Sequence, residues 1–75
     1  MPHFPALTYF QVLKKIKKRG FIFHRQARGS HELWIREFDK KVIVIAKHPG
    51  RTIKRKTLKN IIKATGLSVE EFRKL

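Results

Sequence analysis

The sequence has no cysteine, so neither a disulfide framework nor a thiolate zinc site can hold it together, and its redox compartment is left open. Acidic residues are scarce as well: five Asp and Glu stand against nineteen Lys and Arg, a formal charge of +14. That excess is far beyond what solubility requires, and it repels itself when the chain compacts, so an anionic partner is expected, nucleic acid first. The few carboxylates, Glu32, Glu37, Asp39, Glu70 and Glu71, are dispersed along separate segments, whereas metal-dependent phosphodiester cleavage needs them clustered. No metal site and no cofactor are expected. No run of about 18 apolar residues occurs, and the stretch Met1 to Phe10 has neither the basic region nor the apolar run of a signal peptide. The expected location is the cytoplasm, with no membrane contact. At 75 residues the chain has room for one unit around one core, read as a single domain over 1–75 with its core at about 8–72. A domain this small gains from a tight partner or a second copy of itself.

What is present is patterned. From Thr8, the apolar residues Tyr9, Val12, Leu13 and Ile16 recur at helical spacing, with Lys14, Lys15, Lys17, Lys18 and Arg19 on the other side. Thr8 is placed to cap that helix and Gly20 to end it. Three strand-like stretches follow, Phe21–Gln26, Ser30–Phe38 and Lys41–Ala46, joined by hairpin-length turns at Ala27-Arg28-Gly29 and Asp39-Lys40. Leu33 and Ile35, with Val42, Val44 and Ala46, are expected to form the helix-covered face, which turns Trp34, Ile43 and Ile45 outward. After a loop from Lys47 to Lys54, the residues Leu58, Ile61, Ile62 and Thr65 again mark a helix, stopped by Gly66-Leu67. Ser68 to Glu71 reads as a capping box that opens a last helical turn, with Phe72 folded back on the core. The predicted fold is therefore α+β, α-β-β-β-α, a three-stranded antiparallel sheet with two helices on one face. This is the layout of double-stranded RNA-binding domains, which recognise A-form RNA by shape, phosphates and 2′-hydroxyls.

One motif sharpens the reading. Arg28-Gly29-Ser30-His31 falls where the first hairpin turn enters the middle strand. Around it stand Phe21 after the helix-ending Gly20, a strand leading to His48, and a segment Lys54 to Phe72 containing Thr57-Leu58 and Gly66-Leu67-Ser68. In these features, over roughly residues 8 to 72, the chain resembles the HicA family of toxin endoribonucleases. The resemblance implies a cytoplasmic toxin that cleaves mRNA, is neutralised by a HicB-type antitoxin, and uses His31 as its catalytic histidine. Arg55-Lys56 stands where family members commonly have Pro-Gly before Thr-Leu, a departure at the entry to the second helix.

The chemistry asked of His31 is physically reasonable. An imidazole can accept the proton of a ribose 2′-hydroxyl as that oxygen attacks the adjacent phosphate, so RNA brings its own nucleophile. Gly29 permits close backbone approach, Ser30 can orient a phosphate or the imidazole, and Arg28 can offset developing negative charge. His48 is a candidate for proton transfer or RNA contact, and equally for a loop residue with neither duty. The plain alternative for His31 is a strand residue satisfied by a neighbouring carbonyl. His3 and His24 are read as structural or solvated. Arg28, Lys47, Arg51, Lys54, Arg55 and Lys56 are the candidate RNA-binding residues, the last five beside a helix start whose backbone N–H groups can join them. The basic face of the first helix is read as a solvated surface or, equally, as a further part of the RNA-binding charge. Trp34 either stacks on a base or marks an apolar patch for a protein partner. Two further function classes are kept in view: a non-catalytic RNA-binding module on the same fold, and a structural protein of ribosome or chromatin, less expected because the charge lies on ordered elements rather than tails.

Overall fold

In the structure, a computed structural model that describes residues 4–75, the chain runs α1 (Tyr9–Lys18), β1 (Phe21–Gln26), β2 (His31–Arg36), β3 (Lys41–Ala46), α2 (Arg55–Thr65) and the short α3 (Val69–Arg73). His3 lies outside the described residues. The predicted α+β layout holds. Thr8 caps α1 and, with Gln11, closes a reciprocal capping box: the Thr8 hydroxyl accepts from the Gln11 N–H while the Gln11 side chain accepts from the Thr8 N–H at 2.8 Å. At the other end Gly20 takes φ +88, a left-handed conformation that turns the chain straight into β1. Ser68 and Glu71 form the expected second capping box at α3, and the Phe72 ring is fully buried.

The strands form one antiparallel sheet in the order β1-β2-β3, with Trp34 opposite both Phe23 and Ile43, and His31 opposite Ala46. β2 is shorter than the pattern suggested. It stops at Arg36 because Glu37 to Lys40 make the turn, with Lys40 itself at φ 58. α1 and α2 cover the same face and share one core: Val12 and Ile16 from α1 and Leu58, Ile61 and Ile62 from α2 meet Phe21, Trp34, Ile43 and Ile45 of the sheet.

That list reverses the expected faces. Trp34, Ile43 and Ile45 point inward, while Val42 and Val44 are about half exposed and Leu33 and Ile35 are only partly covered. Trp34 is thus a core residue, 5% exposed, and neither stacks on a base nor marks a surface patch. The reason is that both charged neighbours on its face find partners inside. Glu32 accepts hydrogen bonds from the Tyr9 hydroxyl and the Trp34 indole N–H. Arg36 grips Asp39 through two nitrogens, donates to the Thr65 and Ala64 carbonyls at the end of α2, and lies over the Phe21 ring. Satisfied in this way, two charges can sit on the buried side, and the apolar residues Ile22, Leu33, Ile35, Val42 and Val44 are left on the open one.

The guanidinium of Arg36 beside Asp39 holds that carboxyl below the usual carboxylate range. A depressed folded-state pKa means that this stabilisation is complete above about pH 4, the ordinary carboxylate value, and is lost as pH falls through the folded value. Asp39→Asn is therefore expected to melt below the wild type at pH 7, with the gap holding down to about pH 4 and narrowing as the pH falls further. A gap independent of pH in thermal melts would show that the pair contributes nothing through charge.

Candidate active site

His31 is the first residue of β2, and three hydrogen bonds fix how it leaves the turn. Its carbonyl accepts from the Ala27 N–H at 2.8 Å, its own N–H donates to the Arg28 carbonyl at 3.2 Å, and its ring Nδ1 lies 3.0 Å from the same carbonyl. A carbonyl oxygen only accepts, so Nδ1 carries the hydrogen, and in the neutral ring Nε2 is left with its lone pair free. The carbonyl contact of the plain alternative is thus present, on one nitrogen, and it orients the other. Gly29 makes this possible by adopting φ +62 in the turn. No atom lies within 4 Å of where its Cβ would be, so the backbone conformation and not crowding calls for glycine. The Gln26 side-chain amide steadies the same turn by donating to the Gly29 carbonyl at 3.0 Å.

The Ser30 carbonyl accepts from the Lys47 N–H at 2.9 Å, which carries the β2–β3 pairing one step further and sets where the loop after β3 departs. That loop turns at Pro49-Gly50, with the Arg51 N–H returning to the His48 carbonyl. It is then tied down by a bridge between Thr52 and Thr8 and by the Ile53 N–H donating to the Leu7 carbonyl at 2.8 Å. The result is a cleft of about 400 Å³ in which His31, His48, Arg51, Thr52, Lys54 and Thr57 face one space. Lys54 occupies the N-cap position of α2 without any side-chain cap, and the first turn of that helix holds no acidic residue. The unpaired N–H groups of the first turn, the positive end of the helix dipole and the two cationic side chains therefore act together at this point.

A second concavity of about 430 Å³ runs from His31 along β3 and α2, past Val42, Val44, Ala46, Thr57 and Asn60. His31, Ala46 and Thr57 belong to both.

Of the residues singled out in the sequence, His31, His48, Arg51 and Lys54 come together in the first cleft. Gly29 and Ser30 serve through their backbones. Arg28 contributes the carbonyl that orients His31, while its exposed side chain, like those of Lys47 and Lys56, is not among the lining groups of either cleft. The Arg55 guanidinium lies 5.1 Å from the centre of the Phe4 ring. Thr52, Thr57 and Asn60 went unassigned. Thr57, Asn60 and Ala64 follow one stripe of α2 beside β3, and their helical spacing was the available signal. On α1, Lys15 is not purely solvated: its ammonium donates to the Arg73 and Leu75 carbonyls.

Among the described residues, no group of three or more His, Asp or Glu is placed to hold a metal ion, and no helix is long and apolar enough to cross a membrane. The fold and cleft together define a small, basic α+β protein with a histidine held at the mouth of a cationic cleft. The family model described as HicA toxin of bacterial toxin-antitoxin matches residues 10–67, a span that contains both clefts apart from their framing at Leu7 and Thr8. The chain belongs to the HicA family, toxins of toxin–antitoxin systems, and an antitoxin is its implied partner. A search of curated proteins returned no match.

Proposed function

We propose that this toxin is a metal-independent endoribonuclease that cleaves mRNA in the cytoplasm, with His31 as general base, and that a HicB-type antitoxin neutralises it. The observation that supports this reading most directly is the His31 ring, whose Nδ1 contact leaves the Nε2 lone pair available in the neutral form and which lines the cleft that holds Arg51 and Lys54. Nε2 takes the proton of a ribose 2′-hydroxyl. The 2′-oxygen forms a bond to the adjacent phosphorus, the bond from phosphorus to the 5′-oxygen breaks, and that oxygen leaves with a proton drawn from the solvent in the open cleft. Arg51, Lys54 and the uncapped N–H groups of α2 offset the charge that builds on the phosphoryl oxygens.

The products expected are a 2′,3′-cyclic phosphate and a 5′-hydroxyl. Purified protein incubated with a defined transcript in excess chelator is expected to yield both ends. Cleavage lost in chelator and restored by magnesium would overturn the metal-independent mechanism. Transcripts that are bound yet remain intact would favour the non-catalytic RNA-binding module instead.

A further inference from the structure

We infer that the groove beside β3 is a nucleobase subsite in which Asn60 reads the base on the 5′ side of the cleaved bond, so that the substrate is an unpaired RNA strand. This rests on the endoribonuclease reading and adds where its selectivity comes from.

The two concavities that meet at His31 differ in charge. The first carries Arg51 and Lys54. The second is lined by none of the chain's nineteen Lys and Arg; its walls are Val42, Val44, Ala46 and Ile61, with the Asn60 amide and the Thr57 hydroxyl as polar groups. A phosphate needs cations, whereas a base needs apolar walls for its faces and a donor and acceptor for its edge. An asparagine amide supplies both. In so basic a protein, an uncharged hollow touching the catalytic imidazole suits the uncharged part of a nucleotide.

The covalent structure of RNA fixes the arrangement. The 2′-hydroxyl lies between the base, on C1′, and the 3′-phosphate of the same nucleotide. With that hydroxyl at Nε2 and the phosphate drawn into the cationic cleft, the base of the same nucleotide falls on the other side of the imidazole, where the groove begins. A base can enter only after leaving its stack and its pairing partner, which excludes an intact duplex even though the layout is that of duplex-binding domains.

The test uses short RNAs with one cleavable position, the nucleotide on its 5′ side varied through all four bases, each offered single-stranded and annealed to its complement. For the wild type, rates are expected to spread by roughly tenfold across the bases, the worth of one good hydrogen bond, and pairing is expected to slow cutting by at least that factor. Asn60 is exposed, so Asn60→Ala is expected to fold normally by circular dichroism. It should shrink the spread to about twofold by slowing cleavage after the preferred base. Equal rates after all four bases, an unchanged spread in Asn60→Ala, or equal cutting of the duplex would each overturn the subsite while leaving the nuclease intact. An unchanged spread together with weakened antitoxin binding would assign the groove to that protein. No cleavage of any RNA by folded wild type would remove the nuclease reading, and the subsite with it.

Discussion

His31→Ala is expected to lower RNA cleavage by about 100- to 10,000-fold, the range that a positioned acid or base contributes, while leaving the melting temperature and RNA affinity close to those of the wild type. The ring is exposed at the start of β2 and contributes nothing to the core, so truncation removes the proposed proton acceptor and little else. Arg51→Ala and Lys54→Ala should behave differently. Each is expected to weaken binding at every sequence and to reduce the slope of log affinity against log salt by about 0.7, the value for one phosphate contact on a single strand. His48→Ala is expected to cost less than tenfold, because the proposed mechanism draws the leaving oxygen's proton from solvent in the open cleft. Single-turnover rates and salt titrations on the same preparations separate these effects. A His31→Ala protein that cuts at the wild-type rate would sink the assignment of the base, and a His48→Ala loss as large as that of His31→Ala would make His48 the proton donor.

The elements that build this site were legible because each is specified locally. The spacing of Tyr9, Val12, Leu13 and Ile16, the cap at Thr8, the stop at Gly20 and the capping box at Ser68 all act within about one helical turn, and all are found as expected. His31 was singled out differently, through the family resemblance that Arg28-Gly29-Ser30-His31 carries; the structure shows that Arg28 and Gly29, just before it, form the turn that orients its ring. What the pattern did not carry was the choice of sheet face. On β2, one face holds Leu33 and Ile35 and the other holds Glu32, Trp34 and Arg36; hydropathy alone buries the first. The second is buried because Tyr9 lies 23 residues before Glu32 and the Thr65 carbonyl 29 residues after Arg36, partners that only the folded chain brings within reach. The groove at Asn60 was hidden for the same reason, since it exists only once α2 lies beside β3.

The inversion makes Glu32 the residue on which the fold is most exposed to a single change. Its Oε1 accepts the Tyr9 O–H at 2.5 Å and the Trp34 N–H at 3.2 Å, and the residue is 6% exposed. Burial first, then the hydrogen bond and charge of Glu32, push the Tyr9 hydroxyl pKa well above its ordinary value, so the phenol remains a donor at any physiological pH. Glu32→Ala leaves two donors buried without an acceptor, at about 1–3 kcal/mol each, so roughly 2–6 kcal/mol in all. Against a stability of about 4–11 kcal/mol for a chain of this size, that leaves the protein marginal or unfolded at 37 °C. Glu32→Gln keeps an acceptor oxygen in the same place and is expected to cost less than half as much in urea titrations. The side chain lies on the covered face of β2, opposite His31 on the open side, and touches neither cleft. Activity per folded molecule should therefore stay within a few-fold of wild type in Glu32→Gln. A Glu32→Ala protein as stable as the wild type would show that the buried carboxylate is not what turns this face of the strand inward.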